Sequence, residues 1–355
     1  MQLTPVLDCC AHRLAKHLPR IRAVLMALSL VLVVGCQSGS GGPPKGNSSA
    51  TTTKHEPRPL TDRKFEVTTE RLARGRYLAE AVGYCIGCHS PVDARRAGWP
   101  PLPNQIGSGF DYTGWGYPGQ VAPNITRDRD TGIGNWTDDM LARAIREGVG
   151  HDGHMLDPRV MPYEFHRFMS DEDVASIIVY LRSIPPIRNS LPAFCVTTKF
   201  ASPFAIPILK PISEPDRSTP AKRGEYLVRL GACQWCHTLR DENRQSLPGL
   251  AFAGGDLVVN VYETASSANI TPDPSGISYY DEAQFLRTMR TGHVGARTIS
   301  SNMPWWYFGH MTDDDLRAIF AYLRTVPPVK HRVDNGEPVS YCKVCRRKHG
   351  GGSLN

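Results

Sequence analysis

The spacing of apolar residues along the chain predicts short amphipathic helices. Thr137 and Ser170 are hydroxyl residues that directly precede two and three acidic residues. After each of these runs, apolar residues recur every three or four positions. A hydroxyl residue before an acidic first turn is typical of a helix N-cap, and the apolar spacing gives each helix one face for a core. The helix after Ser170 ends at Pro185 and Pro186, since proline cannot continue a helix. A further helix is predicted over residues 70–81. The apolar positions of the two capped helices are Leu141, Ile145, Val149, Val174, Ile177, Ile178 and Leu181.

The same series of elements occurs twice in the chain. Gly75-Arg-Tyr-Leu returns as Gly224-Glu-Tyr-Leu 149 residues later, and Asn124-Ile-Thr returns as Asn269-Ile-Thr 145 residues later. The last helix of the series, with its acidic cap and closing prolines, repeats at an offset of 142 residues. Because the offset shrinks, the second copy has shorter loops. No alternating run of apolar and polar residues is long enough to indicate a sheet, so we predict an all-α fold of two tandem domains.

The repeat and the composition around it predict the domain boundaries. The first copy covers residues 66–190 and the second covers residues 216–331. A proline-rich linker at 191–215 joins them, and a basic tail follows at 332–355.

The N-terminal residues have the features of a bacterial targeting signal. Basic residues precede an apolar run of about 12 residues, which is too short to span a bilayer and fits the core of a signal peptide. The run ends in Val-Val-Gly-Cys36, which resembles a lipobox, whose cysteine is lipidated and becomes the first residue of the mature protein. We therefore predict a signal peptide over residues 1–35 and a flexible Gly/Ser/Thr/Pro-rich tether over residues 36–65. The body of the protein is expected on the periplasmic side of a bacterial membrane, anchored by lipid on Cys36. Ordinary signal cleavage and an uncleaved anchor are the alternatives.

Two five-residue motifs carry the strongest chemical signal. They are Cys85-Ile-Gly-Cys88-His89 and Cys233-Gln-Trp-Cys236-His237. Each reads Cys-x-x-Cys-His, the attachment pattern of a c-type haem. Two thiols add across the vinyl groups of one haem and the following imidazole binds the iron, and on one helical turn these three side chains share a face. A dithiol redox pair or half of a zinc site would not require the histidine in both copies. We therefore predict two covalently bound haem c groups, attached at the four cysteines, with both histidines as axial ligands.

A methionine is the predicted second axial ligand in each copy. Methionine sulfur raises the reduction potential of a haem and closes the iron to small molecules. Met161 and Met303 both precede proline, follow the middle helix and occupy matching positions in the two copies. Met155 has no counterpart in the second copy, and Met169 and Met311 directly precede helix caps, which favours core packing.

Histidines near the two motifs are the other candidate ligands. A second histidine would lower the reduction potential, whereas a free sixth position would indicate an enzyme. We expect each of these histidines to be a polar residue of a loop or of the surface. They are His151, His154, His166, His293 and His310.

Taken together, the motifs resemble a known family. Each half resembles a class I cytochrome c domain, which is all-helical. Over residues 66–331, four features resemble the cytochrome c subunit of membrane-associated alcohol and gluconate dehydrogenases of bacteria. They are Asn-Ile-Thr, the helix ending in Arg146-Glu-Gly-Val, the Met-Pro turn and the Tyr-Leu-Arg sequence before Pro-Pro. Those subunits carry three haems, whereas this chain has two complete motifs. The resemblance also implies that a proline after the motif accepts a hydrogen bond from the axial histidine. Pro248 fits this role in the second copy, and Pro101 or Pro103 in the first.

Three cysteines remain after the signal segment, Cys36 and the haem motifs are set aside, namely Cys195, Cys342 and Cys345. Outside the cytoplasm spare thiols usually form disulfides, and a bridge from Cys195 to Cys342 or to Cys345 would tie the linker to the tail. Either bridge leaves one thiol over, so the pairing stays open. Cys342-Lys-Val-Cys345 also looks like part of a third haem motif, but Arg346 stands where the histidine is required.

The function predicted from these features is electron transfer without catalysis. The net charge of +7 does not indicate nucleic-acid binding, because no basic stripe with interleaved aromatic residues accompanies it. No acid–base pair or nucleophile constellation stands out. We expect the protein to carry single electrons from a dehydrogenase or a quinol-oxidising complex to an acceptor such as a terminal oxidase. The alternatives are a dihaem peroxidase or small-anion oxidase with one open haem, and a subunit that works only inside a dehydrogenase complex.

Overall fold

The computed structural model describes residues 57–193, 206–241 and 245–352. The predicted signal segment, Cys36 and Cys195 lie outside these ranges. Within them, no helix combines the length and the apolarity that crossing a bilayer requires.

Helices form the framework of the described residues. The helices are α1 (Thr69–Tyr77), α2 (Cys85–Cys88), α3 (Asp138–Glu147), α4 (Tyr163–His166), α5 (Asp171–Ser183), α6 (Pro220–Leu230), α7 (Cys233–His237), α8 (Glu282–Thr291), α9 (Trp305–Phe308) and α10 (Asp313–Leu323). A π-helical stretch, Leu78–Val82, continues α1, and a 3₁₀ turn covers Tyr112–Trp115.

Side-chain oxygens cap the N-termini of the longer helices, as the sequence predicts. Thr137 accepts a hydrogen bond from the backbone N–H of Met140 at 3.1 Å at the start of α3. Ser170 accepts one from the backbone N–H of Asp173 at 3.1 Å at the start of α5. Thr312 caps α10 in the same way in the second copy. The two predicted caps are confirmed, and they satisfy N–H groups that a helix start leaves without a partner.

Short antiparallel strand pairs lie in the loops between the helices and after α10. The all-α prediction does not include these strands. The strands are β1 (Phe110–Asp111), β2 (Val121–Ala122), β3 (Leu257–Val259), β4 (Thr264–Ser266), β5 (His293–Val294), β6 (Arg297–Thr298), β7 (Ser340–Tyr341) and β8 (Lys348–His349). Consecutive strands pair into four antiparallel two-stranded sheets. The all-α prediction is therefore met only in part, because strands of two or three residues are too short to show an alternating pattern in the sequence.

The first and last helices of each copy cross in close contact. A Cβ atom on Gly75 of α1 would lie 1.8 Å from the backbone oxygen of Ser176 in α5. In the second copy, a Cβ atom on Gly224 of α6 would lie 1.8 Å from the backbone oxygen of Ala318 in α10. Only glycine allows this approach, which explains why the repeated Gly-x-Tyr-Leu begins with glycine in both copies. The surrounding core is apolar and includes residues of all four helices.

The two copies contact each other through a reciprocal pair of tyrosines. Tyr77, at the end of α1, donates a hydrogen bond to Asp315 in α10 of the other copy. Tyr226 in α6 donates one to Asp173 in α5, at 2.7 Å. Each phenol oxygen also accepts from the backbone N–H of the N-cap residue of the helix it reaches, at 3.2 and 3.3 Å. The repeated tyrosine therefore joins the copies, and the same contact is made in both directions.

Charged groups reinforce this contact. Arg74 donates two hydrogen bonds to Asp173, at 2.8 and 2.9 Å. Burial opposes ionisation of Asp173, but the hydrogen bonds from Arg74 and Tyr226 lower its pKa. Burial raises the pKa of Tyr77 to about 12, and the adjacent Asp315 carboxylate adds to the rise. Both tyrosines therefore stay protonated as donors at neutral pH.

The C-terminal end of the predicted tether is packed against α3. Arg58 donates hydrogen bonds to Asp139 at 2.7 Å and to Glu147 at 2.8 Å, and all three residues are buried. Although burial opposes ionisation of Asp139, the hydrogen bonds from Arg58 and from the backbone N–H of Thr61 lower its pKa to about 2. The chain is therefore held from Arg58 onward, and the predicted tether does not extend to residue 65. An ion pair fixes this segment, so the apolar pattern gives no sign of it.

We expect Tyr77→Phe and Tyr226→Phe each to lower the free energy of unfolding by about 1–3 kcal/mol, because each leaves a buried carboxylate without one hydrogen-bond donor. Denaturant titration followed by far-UV circular dichroism measures this change. Tyr341→Phe is the matched control, since Tyr341 is 61% exposed. Unfolding curves of the two interface variants that coincide with that of Tyr341→Phe would show that the tyrosines do not hold the copies together.

Candidate functional site

A residue in the left-handed conformation precedes each haem motif. Tyr84 has φ of 55° and Ala232 has φ of 51°. Residues with a Cβ rarely adopt this conformation, so the surrounding structure must impose it. Each of these residues separates the first helix of its copy from the motif helix, α2 or α7. The turn brings both cysteines and the histidine of each motif to the wall of one cavity.

The two predicted axial histidines are held in the same way. Nδ1 of His89 lies 2.7 Å from the carbonyl oxygen of Pro123, and Nδ1 of His237 lies 2.7 Å from that of Ala268. Burial lowers the pKa of both imidazoles. Each ring is therefore uncharged at neutral pH, with Nδ1–H donating to the carbonyl and Nε2 keeping a free lone pair. This tautomer is the one that a haem iron requires.

The carbonyl groups that accept these hydrogen bonds differ from the predicted ones. Pro248 in the second copy, and Pro101 or Pro103 in the first, were expected to accept the bond, and this expectation is wrong. The acceptors, Pro123 and Ala268, each directly precede an Asn-Ile-Thr motif. Because the acceptor is a backbone oxygen, the side chain at this position is free to differ between the copies.

The asparagine of Asn-Ile-Thr fixes the loop that carries this carbonyl. Oδ1 of Asn124 accepts from the backbone N–H and the hydroxyl of Thr126, at 2.9 and 2.7 Å. Its Nδ2 donates at 2.7 Å to the carbonyl of Ile187, which follows α5. Asn269 makes the equivalent three bonds at 2.9, 2.8 and 2.8 Å. Both asparagines are buried. They are positioning residues that the sequence reasoning missed, although the recurrence of Asn-Ile-Thr was a signal for them.

One large cavity is shared by the two motifs. Its volume is about 2230 Å³, and its walls are mostly apolar. A pocket for one small ligand measures roughly 300–1,000 Å³, so this cavity has room for more than one such group. Both cysteine pairs, both axial histidines, Met161 and Met303 lie in its wall. The donor set and the apolar walls fit two haem groups.

The four motif thiols do not have the character of a redox pair. Burial raises the pKa of Cys85 to about 11 and the pKa values of Cys88, Cys233 and Cys236 to about 12. A catalytic dithiol has a lowered pKa, since the thiolate is the reactive form. The structure therefore disfavours the dithiol alternative for both motifs.

The predicted methionine ligands occupy equivalent turns. The backbone N–H of Tyr163 donates to the carbonyl of Met161 at 2.8 Å, and that of Trp305 donates to the carbonyl of Met303 at 2.6 Å. In both turns the intervening proline is the N-cap of a short helix, α4 or α9. Their binding to iron stays a prediction. Of the competing methionines, Met169 and Met311 are buried in the core, and Met155 is 41% exposed.

One of the candidate histidines differs from expectation. His166 is 3% exposed, and burial lowers its pKa to about 4. The expectation of a surface or loop residue is wrong here, because α4 places His166 near Leu230 at the end of α6. The remaining four are exposed, as expected. They are His151, His154, His293 and His310.

Aromatic side chains connect the surroundings of the two motifs. The ring of Tyr84, which precedes the first motif, lies edge-on to Tyr307 of α9, with 4.7 Å between ring centroids. The hydroxyl of Tyr307 donates to the carbonyl of Trp99 at 3.0 Å. Trp99 in turn contacts Trp115, with centroids 4.8 Å apart. The two motifs are thus parts of one packed region rather than separate sites on the surface.

Comparison with known proteins agrees with this geometry. A scan against protein-family models finds no match. Over 277 residues the chain is 30% identical to the gluconate 2-dehydrogenase cytochrome c subunit of Pantoea cypripedii, covering 71% of this chain and 59% of that protein. Over 300 residues it is 28% identical to the cytochrome c subunit of the alcohol dehydrogenase (quinone) of Gluconobacter oxydans, covering 79% and 60%. A diheme cytochrome c-type protein of Cereibacter sphaeroides is 29% identical over 280 residues, covering 75% and 89%.

These similarities confirm the resemblance predicted from the motifs. The chain is similar over most of its length to cytochrome c subunits of dehydrogenases and to a diheme cytochrome c. It spans 59% of the gluconate 2-dehydrogenase subunit, 60% of the alcohol dehydrogenase subunit and 54% of a third relative, the fructose dehydrogenase cytochrome subunit of Gluconobacter japonicus.

We expect Asn124→Ala to disturb the first site and Asn269→Ala the second, because each leaves buried groups without partners and frees the loop that holds the axial histidine. The expected loss of stability is about 2–3 kcal/mol for each. Redox titration of the purified protein should show that each variant shifts one of two midpoint potentials and leaves the other unchanged.

Two further variants separate this role from general destabilisation. Asn135→Ala is the control, since Asn135 is exposed. Asn124→Asp keeps the oxygen that binds Thr126 and loses the amide that donates to the carbonyl of Ile187 and to the hydroxyl of Thr131, so it should have an intermediate effect. Equal shifts of both potentials in each alanine variant would contradict the assignment.

Proposed function

We propose that the protein is a dihaem c-type cytochrome that transfers single electrons and has no substrate chemistry of its own. The observation that carries this proposal is the duplicated arrangement on one cavity. In each copy, a Cys-x-x-Cys-His helix, a carbonyl-bound histidine and a Met-Pro turn occur together. Bound haem iron would supply the exchange of one electron between its ferric and ferrous states.

Each residue set has a distinct task in this proposal. Cys85 and Cys88 hold one haem covalently, and Cys233 and Cys236 hold the other. His89 and His237 are axial ligands, kept in the required tautomer by their carbonyl partners. Met161 and Met303 are the second axial ligands, which raise the potentials and keep small molecules from the iron. The mostly apolar walls exclude water.

The position of the two motifs on one cavity supports electron passage between the haems. Tyr84 and Tyr307 fill the space between the first motif and the second copy. The reciprocal contacts of Tyr77 and Tyr226 hold the copies at a fixed distance. Such a rigid arrangement suits electron transfer, because the rate then does not depend on a conformational change. Electrons would enter at one haem and leave at the other.

The donor is proposed to be a dehydrogenase. Support comes from the relatives whose names describe cytochrome c subunits of gluconate 2-dehydrogenase, alcohol dehydrogenase (quinone) and fructose dehydrogenase. A quinol-oxidising complex is the second candidate donor, and a terminal oxidase is the proposed acceptor. Co-purification from native membranes distinguishes a permanent subunit from a free carrier.

The domain assignment is part of the same proposal. Two class I cytochrome c domains would cover residues 66–190 and 216–331, with a linker at 191–215. The support is that the glycine crossing and the histidine–carbonyl bond each occur once in either range, and that each range contributes one tyrosine to the contact between the copies.

The visible spectrum of the purified protein tests the electron-carrier function. Both ferric haems should show the weak far-red band of sulfur-bound iron, and neither should bind carbon monoxide or cyanide or react with peroxide. Met161→Ala and Met303→Ala should each remove about half of the band, since each abolishes one of two iron–sulfur bonds. Met155→Ala is the control and should leave the band intact. A haem of the unmodified protein that binds carbon monoxide readily would instead favour a dihaem enzyme.

The proposed location is the periplasmic side of a bacterial membrane, with a lipid anchor on Cys36. The basic N-terminal residues, the short apolar run and the cysteine that ends it support this. Cys36→Ala should abolish incorporation of a labelled fatty acid and move the protein from the membrane fraction to the soluble fraction. Cys10→Ala is the matched control, because Cys10 precedes the expected cleavage site. Unchanged labelling of the Cys36 variant would rule out this anchor.

A further inference from the structure

A second cluster of metal-binding side chains lies apart from the haem motifs. It consists of His331, the last residue of the second copy, and of Cys342, Cys345 and His349 from the segment after it. One potential ligand atom from each residue lies within 4.8 Å of the other three. The function proposed above uses none of these residues.

The hairpin of β7 and β8 builds the cysteine part of the cluster. The backbone N–H of Cys342 donates to the carbonyl of Arg347 at 2.8 Å, and that of Arg346 donates to the carbonyl of Cys342 at 2.9 Å. Arg346 has φ of 56°, in the left-handed region. This tight turn folds Cys-x-x-Cys back on itself and turns both thiols toward one point. His349 follows on the returning strand, β8.

Both histidines have a buried nitrogen without a hydrogen-bond partner. Nδ1 of His331 lies 2.8 Å from the carbonyl oxygen of Ala253, and its Nε2 is buried and unpartnered. Nε2 of His349 is likewise buried and unpartnered. Exposure is 1% for His331, 7% for His349 and 4% for Cys345. Buried polar atoms normally have partners, and a histidine whose other nitrogen binds a carbonyl is typical of a metal ligand.

We propose that these four residues bind one Zn²⁺ ion in a tetrahedral Cys₂His₂ site. Two thiolates and two neutral imidazoles match the ligands that zinc takes in structural sites, and all four positions are filled by protein. A tetrahedral zinc ion with bonds of roughly 2.0–2.3 Å holds its ligand atoms roughly 3.3–3.8 Å from one another. Side-chain rotations that move the ligand atoms by about 1 Å bring the four atoms to these distances. Two thiolates also neutralise the ion, which suits a buried position. Binding releases the two thiol protons.

The basic tail gains a role in this arrangement. Its positive residues lie between the two cysteines and directly after Cys345 in the sequence. They are Lys343, Arg346, Arg347 and Lys348. Arg347 also bonds to the carbonyl of Arg240, which attaches the hairpin to the second copy.

A disulfide explains less of the structure than a zinc ion. Cys342 and Cys345 are both free among the described residues, and the alternative bridge would need Cys195, which lies outside the described ranges. A bond between Cys342 and Cys345 would still leave Nε2 of both histidines buried without a partner. Arg346 in place of histidine argues against a third haem.

The site would brace the second haem pocket. Ala253, which accepts the hydrogen bond of His331, is followed by Gly254, whose backbone N–H donates to the carbonyl of His237 at 2.9 Å. Cys345 belongs to one small apolar cluster with Leu239 and Ala253, and Cys342 packs against it. One loop therefore connects the proposed zinc ion with the second axial histidine.

Metal analysis of the full-length protein, purified with reduced thiols and without chelator, tests the proposal. We expect one zinc per chain in addition to the iron. X-ray absorption at the zinc edge, which haem iron does not obscure, should show two sulfur ligands at about 2.3 Å and two nitrogen ligands at about 2.0–2.1 Å. Zinc below one tenth of an equivalent after incubation with zinc salt, or a zinc edge with oxygen and nitrogen ligands alone, would overturn it. So would a Cys342–Cys345 disulfide in the unreduced digest.

Ligand variants locate the metal. Cys345→Ser and His349→Gln should each lower the bound zinc at least tenfold, whereas Lys343→Ser and His310→Gln should retain it. Because iron content and the haem spectrum are measured on the same samples, a failed haem assignment and a failed zinc assignment give different results. Removing zinc with a chelator should destabilise the haem at His237 more than the haem at His89. Zinc retained by both ligand variants would exclude this cluster.

Discussion

The hydrogen bond between each proposed axial histidine and a backbone carbonyl connects most of the structure around the two motifs. It joins the motif helix to the loop before Asn-Ile-Thr, and the asparagine joins that loop to the chain after the last helix. If the carbonyl could move, the imidazole could rotate. The hydrogen bonds of the asparagine hold the carbonyl in place and so fix the orientation of the imidazole. Burial adds a second condition, since it lowers the pKa of both imidazoles and keeps them neutral. The same chain of contacts in the second copy shows that it is a property of the fold.

Duplication of the domain has produced an interface as well as a second site. Tyr77 and Tyr226 lie at equivalent positions, and each reaches a carboxylate at the start of the last helix of the other copy. The interface also holds the two motifs on one cavity. An electron carrier benefits from such rigidity, since the distance between its redox groups is then fixed.

The segment after the second copy extends this design. It forms a hairpin whose two cysteines and His349 converge with His331 near the loop that contacts His237. A small hairpin has little apolar area with which to hold itself against a domain, and a metal ion compensates for this in many short segments. The two copies therefore differ in their support. The first is closed at its N-terminal side by the buried Arg58 ion pairs, and the second by the hairpin.

The sequence alone determined the chemistry that local spacing encodes. The residues of Cys-x-x-Cys-His lie within one helical turn, and each cap of α3 and α5 joins residues three positions apart. The internal repeat shows which residues of the two copies are equivalent. Tertiary structure decided everything that depends on distant partners. The carbonyls of Pro123 and Ala268 lie 34 and 31 residues from their histidines, and a backbone oxygen leaves no mark in the sequence. The burial of His166, the tyrosine contacts and the four-residue cluster around Cys345 likewise arise from segments that meet only in the folded chain. Short-range patterns are readable because geometry along the chain is fixed by covalent structure, whereas long-range contacts depend on how whole helices pack.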